Sequence, residues 1–571
     1  MPRFLALDIE TTGLTYNDHL LTVAAAWRDD EGVVQAEAMN VSMRDLFSQP
    51  CTTPELFYWL RELAQGPDWL VFHNAAFDLP HLLRIGVLTE DICRGRIFDT
   101  MVMARHTGDR ESVSLGKLCR HYGIGNEGWQ GMKKRRKGLA KLDAETVIEY
   151  NKDDARNTLL LVEHIHGEAE KIYSQAYLQA EGDFILLAAQ MQVTGMAIDL
   201  TTINRTVDDY KAELAEIQKR LMSVKILKAT DNVGLRKYLL SQECLLIAKT
   251  AGGKDKLDVG VLQEIQAYHQ GEVADVIEDV LRGRHLVKAL GTWLVGIRDQ
   301  ADEEGRVHPL FKPGGTVSGR LSCKHPNVQA IPRGMKLFIP GRGVKALVSL
   351  DYAQAELRLA AIYAGEVVMA KIFQEPDADP HLETARAMYG DEKAKENRFL
   401  GKSANFATIY GAGPGSLSHT AKLSQEKAKE VLTLHRQRFP RFRQVSKAAE
   451  ARWAKRGFLV LSSGRRRFVS PSDRAFKLYK AFNQLVQGSV ACVMQTAMLG
   501  IHVEMPQVRI VSQVHDSILI EVMEGDIDEA CHRAVTIMED AVPERIHKLV
   551  NPRIAMKVDV TVYLPTEEAQ E

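Results

Sequence analysis

Cysteine is scarce in this chain: there are seven in 571 residues, no two of them at C-x-x-C spacing. That excludes the ligand pattern of a zinc ribbon or a dithiol redox centre, and cysteines so scattered build no disulfide framework. Long apolar runs are missing too, and none approaches the roughly 18 residues that span a bilayer. The opening MPRFLALDIETTG reaches Asp8 and Glu10 too soon to contain the apolar core of a signal peptide. These absences lead us to expect a protein of a reducing compartment, the cytoplasm, with no membrane association. Net charge is nearly absent at −1, so no whole-molecule field advertises a polyanionic partner. Two local basic clusters, Lys133–Lys137 (KKRRK) and Arg465–Arg467 in SSGRRRF, are of the kind usually found on solvated faces. There is no internal repeat and no low-complexity segment. What is present is ordinary for globular cores, 45% hydrophobic and 26% charged residues. The length holds about three or four folding units at roughly 150 residues each.

Residues 1 to about 170 alternate apolar stretches with helical patterns, as α/β domains do. RFLALDIE and DWLVFHN read as strands, and LAKLDAETVIEYNKDDARNTLLLVEHI as one or two amphipathic helices. From about 171 to 300, apolar residues recur at three- and four-residue steps, which predicts a helical arm. The Gly/Pro-rich PLFKPGGTVSGRLS marks a boundary. Beyond it KALVSLDYA reads as a strand entering a helix, residues 356 to 455 as largely helical, and FLVLSSGRRRF as a hairpin. VRIVSQVHDSILIEV reads as two strands joined by a tight turn at His515-Asp516. The expected order is an α/β domain, a helical arm and a mixed α/β domain.

Two acidic constellations carry chemistry. Asp8 and Glu10 stand two apart in a strand, so both carboxylates share a face. Asp78 closes HNAAFD after an apolar strand, and Tyr150 and Asp154 stand four apart on one helical face. Any one of these acids is more simply a helix cap or a solvated group. Four gathered together would repel unless they shared cations, and an all-oxygen set suits Mg²⁺ or Mn²⁺, paired as in phosphodiester hydrolysis. The motifs DIETTG, NAAFD and YNKDDARNT resemble, in order, those of the DEDDy group of 3′→5′ exonucleases. The resemblance implies an RNase H-like domain in which Asp8, Glu10, Asp78 and Asp154 hold two metals and Tyr150 orients the attacking water.

In the second constellation Asp351 ends a strand in SLDYAQAELR, with Glu356 and Arg358 beyond it. In RFLGKSANFATIYG, Arg398, Lys402, Phe406 and Tyr410 recur at steps of four, drifting only about 40° per step along a helix. Two cations followed by two aromatics suit a nucleoside triphosphate, phosphates at one end and base at the other. Asp516 sits in the tight turn of VHDS. Two aspartates facing a triphosphate fit two-metal attack by a 3′-hydroxyl.

These segments resemble motifs A, B and C of family A DNA polymerases, the group of bacterial DNA polymerase I. TVSGRLSCKHPNVQAIP, DPHLETARAMYG and FNQLVQGSVA extend the match. The resemblance implies a right-hand polymerase after the exonuclease: exonuclease 1–170, polymerase 171–571, thumb about 183–305, palm about 306–357 and 479–571, fingers about 358–478. It implies that Asp351 and Asp516 hold two metals, and that Arg398, Lys402 and His381 bind the triphosphate. Phe406 would stack on the incoming nucleotide, Tyr410 would lie by the templating base, and Glu356 would exclude a 2′-hydroxyl. Arg320, Asn483, Gln487 and His515 would meet DNA, in part through minor-groove acceptors common to all base pairs. The implied partners are primer–template DNA and deoxynucleoside triphosphates, bound by a monomer, with any accessory protein left open.

Ser517 stands where many relatives carry Glu, and Tyr479 where Arg is frequent. We expect no 5′-nuclease domain before the exonuclease, a compact build that resembles a phage replicative enzyme working in host cytoplasm. GAGPGS (411–416) and AGGKDK (251–256) read as ordinary turns, since neither keeps the strand and Ser/Thr context of a phosphate loop. KKRRK could guide a frayed primer toward the exonuclease. A single-subunit RNA polymerase is the nearest rival and is disfavoured by Glu356 and the proofreading motifs. A catalytically silent DNA clamp is disfavoured by the intact acids.

Overall fold

The computed structural model describes residues 2–41, 54–108, 110, 112–124, 142–246, 248–250, 252–332, 335–375, 378–469 and 477–565. Lys133–Lys137 lie outside them. The chain forms two compact units, one of Met1–Gly195, Leu310–His325 and Arg342–Glu571, the other of Met196–Pro309 and Pro326–Gly341.

The first unit opens with strands β1 (Phe4–Thr11), β2 (Leu20–Arg28), β3 (Val34–Asn40), β4 (Trp69–Phe72) and β5 (Ile97–Asp99). They form one sheet in the order β3-β2-β1-β4-β5, with β1 antiparallel to β2 and parallel to β4. Leu5, Leu7 and Ile9 enter one core and Ala6 the other. Period two then sets Asp8 and Glu10 on the Ala6 face. Helices α1 (Ala75–Arg84), α2 (Thr100–Thr107), α3 (Ala144–Glu170) and α4 (Gln175–Thr194) follow. α3 covers the Ala6 face with Ala155, Leu159 and Val162. α4 lies so close to β5 that a Cβ on Gly182 would overlap the Ile97 carbonyl.

In the second unit, α5 (Leu200–Ser223) and α6 (Glu272–Lys288) share a core with Leu235, Leu239 and Leu262. Arg282 and Glu213 join the two helices at 2.7 Å.

The first unit resumes with the hairpin β6 (Leu310–Lys312) and β7 (Ser322–Lys324), then β8 (Ala346–Tyr352) running into α7 (Ala355–Ala364). Next come α8 (Pro380–Tyr389), α9 (Arg398–Tyr410) and α10 (Gln425–Arg438). The hairpin β9 (Phe458–Val460) and β10 (Arg466–Phe468) leads to α11 (Ala481–Glu504). Strands β11 (Val508–Val514), β12 (Ser517–Val522) and β13 (Val558–Tyr563) complete an antiparallel sheet in the order β11-β12-β8-β13. Among the described residues, Leu478–Glu504 is the one helical stretch long and apolar enough to cross a membrane, and most of it is buried inside this unit.

The strand-into-helix at Asp351, the RRRF hairpin and the two strands around His515-Asp516 are all present. Pro414 opens a helix rather than a phosphate loop. One basic cluster departs from expectation. Arg465 is only 5% exposed, donating to Glu181 of α4 at 2.9 Å and to Gln495 of α11. A guanidinium can be buried this way because both partners lie in the interior and are hydrogen-bond acceptors.

Candidate functional sites

The first site forms where β1 meets α3. Carboxylate oxygens of Asp8, Glu10 and Asp154 lie within 4.8 Å of one another. Asp78 comes up from α1, and its Oδ1 accepts the Ile9 amide at 3.1 Å. Asp154 and Tyr150 are both buried on α3. Burial, compounded by Asp78, Asp154 and Glu10, pushes the Asp8 carboxyl well above its ordinary range. Burial pushes Asp78 up as well, with Glu10 and Asp99 adding to it against the Ile9 hydrogen bond. Converging, desolvated carboxylates with no nitrogen or sulfur among them fit hard divalent cations, whose charge offsets both penalties.

Three residues here escaped sequence reasoning. Asn151, fully buried, donates to Asp8 Oδ2 at 2.6 Å and accepts from Thr22 Oγ1 at 2.8 Å. Thr22 pairs with Glu10 across the sheet. Asp99 caps α2 and also accepts the Ala75 amide at 2.8 Å, joining the start of α1 to β5. The available signal for Asn151 was its place three residues before Asp154, on the same helical face.

The second site forms on the four-stranded sheet. Asp351 lies opposite Ser517 on the neighbouring strand, which sets it beside Asp516. His515 adopts φ 55° to make the turn, a left-handed conformation uncommon outside Gly, which Asn, Asp and His enter more readily than other side chains. Burial raises the Asp516 carboxyl; Arg320 opposes this, and Glu356 and Asp351 reinforce it. Arg320 Nη2 donates to Glu356 Oε1 at 2.7 Å and to Asp516 Oδ1 at 3.2 Å. The Tyr410 hydroxyl donates to Glu356 Oε2 at 3.0 Å, and Gln487 Nε2 reaches Glu356 at 3.5 Å and Tyr410 at 3.4 Å. Asn483, one turn earlier on α11, is buried with its Nδ2 lacking a partner among the described residues. Such an orphaned donor, near groups already aimed at a shared space, suits a ligand acceptor.

Ser517 does not point into this cluster. It is buried, and its hydroxyl donates back to the Val514 carbonyl at 2.8 Å, closing the turn. Arg358 is structural: buried, it donates to the Ala353 and Ala555 carbonyls and lies 4.3 Å from the Phe373 ring centre. Tyr479 is half exposed, and its carbonyl packs against Gly411 at the end of α9.

The far end of α9 carries the cations. Arg398 pairs with Asp379, and Lys402 is exposed. Phe406 packs on His381 at 5.7 Å and on Tyr410 at 6.1 Å between ring centres. Burial, and then Arg398 and Lys402 against Asp379, push the His381 imidazole down to about 4. The stripe therefore runs from two cations, past a neutral histidine, to aromatics that touch the acid cluster.

Residues 200–563 match the family model of DNA polymerase family A, and residues 2–170 match that of a 3′-5′ exonuclease. A thermostable DNA polymerase I of Thermus thermophilus is 28% identical over 68% of this chain and 50% of its own length. DNA polymerase I of Rhizobium leguminosarum is 27% identical over 87% of this chain and 51% of its own. The chain spans about half the length of these curated relatives. Among solved structures, the polymerase domain of Pol1 from M. smegmatis, in complex with DNA primer-template and dNTP, shares the fold. Its TM-score is 0.78 at 22% identity, covering 99% of this chain and 96% of that one.

Proposed function

Because the chain belongs to DNA polymerase family A and carries a 3′-5′ exonuclease domain, we propose that it extends a DNA primer along a DNA template from deoxynucleoside triphosphates and excises mispaired 3′ ends. The observation that carries this reading is the cluster around Arg320. One guanidinium ties Glu356 to Asp516, while Glu356 also accepts from Tyr410 at the end of the cationic stripe.

In this reading Arg398 and Lys402 hold the triphosphate, and Phe406 supports the base by stacking. Glu356, pinned by Arg320 and Tyr410, fills the space beside the sugar. Held there by two hydrogen bonds, the carboxylate leaves room for a 2′-hydrogen and excludes the bulkier 2′-hydroxyl. Arg320, Asn483, Gln487 and His515 contact the primer–template. Asp351 and Asp516 would hold Mg²⁺ ions, as would Asp8, Glu10, Asp78 and Asp154 at the excision site. When bound, such ions neutralise charge on phosphate oxygens and lower the pKa of an attacking hydroxyl or water. Tyr150 orients that water, and Asn151 keeps Asp8 in one rotamer. Keeping the two acid sets on separate sheets allows excision and extension to be lost independently.

Primer extension with Mg²⁺ tests the substrate assignment. The wild type should extend with deoxynucleoside triphosphates and scarcely with ribonucleotides, and Glu356→Ala should raise ribonucleotide use by roughly tenfold or more. Efficient ribonucleotide use by the wild type would refute the reading.

A further inference from the structure

A buried hydrogen-bond chain backs the cationic stripe of α9. Thr384 of α8 sends its only hydroxyl hydrogen to the Pro380 carbonyl at 2.6 Å, in preference to Asn405 Oδ1 at 3.3 Å. Its oxygen is then left to accept from Asn405 Nδ2 at 3.0 Å. This sets the orientation of the Asn405 amide, because the flipped amide would face a hydroxyl with no hydrogen left to give. Asn405 Oδ1 therefore accepts from His435 Nε2 of α10 at 2.9 Å, and His435 Nδ1 accepts from the Thr408 hydroxyl at 3.1 Å. The second hydrogen of Asn405 Nδ2 faces His381 Nδ1 at 3.2 Å. A ring nitrogen that receives a hydrogen bond carries its lone pair there, so the proton of neutral His381 sits on Nε2.

Asn405 is 1% exposed and His435 fully buried, so water does not compete for these bonds. Burial holds both rings neutral, pushing His381 down to about 4 and His435 to about 3. The charged groups facing His381 are Asp379 at the start of α8, and Arg398 and Lys402 on α9.

We infer that Asn405 and His435 are positioning residues for His381. Together they fix its neutral Nε2–H tautomer, so that the ring donates a hydrogen bond to a phosphate oxygen of the incoming nucleotide beside Arg398 and Lys402. The inference rests on the polymerase reading above, and it assigns a task to two side chains that never touch substrate.

The test uses Asn405→Asp, which keeps the shape but sets an acceptor against His381 Nδ1. A neutral ring would then carry its proton on Nδ1 and could not donate from Nε2; a protonated ring could donate from both. KM for the deoxynucleotide should rise about tenfold or more at pH 9. It should recover toward the wild-type value as pH falls through the raised histidine pKa, between roughly pH 8 and 6. In a His381→Ala background the same substitution should change KM by less than about twofold. A pH-independent rise in KM, additive with His381→Ala, would overturn the inference. Should Asn405→Asp fail to fold, judged by lost excision of single-stranded primer, ¹⁵N NMR of the wild-type imidazoles decides the matter. There the Nε2–H tautomer of His381 is expected, and the Nδ1–H tautomer would overturn the inference. A wild-type protein unable to extend any primer would instead remove the polymerase reading, an outcome distinct from additivity in an active enzyme.

Discussion

Asn151 places one amide between two strands of the proposed excision site, accepting from Thr22 and donating to Asp8. Repulsion from three neighbouring acids would otherwise turn the Asp8 carboxylate away from the ligand position. Residues that orient metal ligands typically account for about 10- to 100-fold in activity. Asn151→Ala should therefore slow excision of a single-stranded primer by about that factor while primer extension stays unchanged. Excision within twofold of wild type would show that Asp8 needs no such support. The acids themselves were legible in sequence because each lies in a short motif whose period, two for Asp8 and Glu10 or four for Tyr150 and Asp154, sets them on one face. Asn151 was not read, although it stands three residues before Asp154 on the same helical face, because its partner Thr22 is 129 residues away. Ser517 was legible only as a missing carboxylate. That its hydroxyl closes the turn to Val514 depends on turn geometry.

Between elements, close packing decides what can be changed. A Cβ on Gly401 of α9 would overlap the His381 carbonyl of α8 and sit 2.9 Å from the Ala385 nitrogen. Helix propensity alone favours Gly401→Ala by about 1 kcal/mol, but a clash with rigid backbone costs about 1–3 kcal/mol. We expect net destabilisation in thermal melts, with a higher KM for deoxynucleotides because α9 carries Arg398 and Lys402. Stabilisation by alanine would contradict this packing. The Glu181–Arg465 pair, 284 residues apart in sequence, joins α4 to the β9–β10 hairpin. This distance explains why SSGRRRF read as a solvated run. Burial alone would lift the Glu181 carboxyl, yet Arg465, followed by His106, outweighs it and holds the carboxyl below its usual value. Glu181→Gln leaves Arg465 buried without its counterion and should cost about 3–5 kcal/mol. A depressed carboxylate stabilises fully above its unfolded pKa and loses that contribution as pH falls through its folded pKa. The stability gap between wild type and variant in urea melts should thus be constant from pH 8 to about 5 and narrow below about 4. A gap that widens in acid would contradict the assignment.

At the scale of the molecule, both acid sites belong to one compact unit, yet they rest on different sheets and share no carboxylate. That an exonuclease domain precedes a polymerase domain was readable from motif order, and periodicity marked the strands that carry Asp8 and Asp351. The residues that make the unit continuous, Gly182 against β5 and Glu181 against Arg465, were not, because they owe their roles to packing between distant segments. If the sites are separate, each must fail alone. The most direct measurement follows one labelled primer–template in Mg²⁺, matched and mismatched, reading extension and excision together for wild type, Asp8→Ala and Asp516→Ala. The account predicts that Asp8→Ala abolishes excision and keeps extension, and that Asp516→Ala abolishes extension and keeps excision. Loss of both activities in either variant, or extension by Asp516→Ala at the wild-type rate, would contradict it.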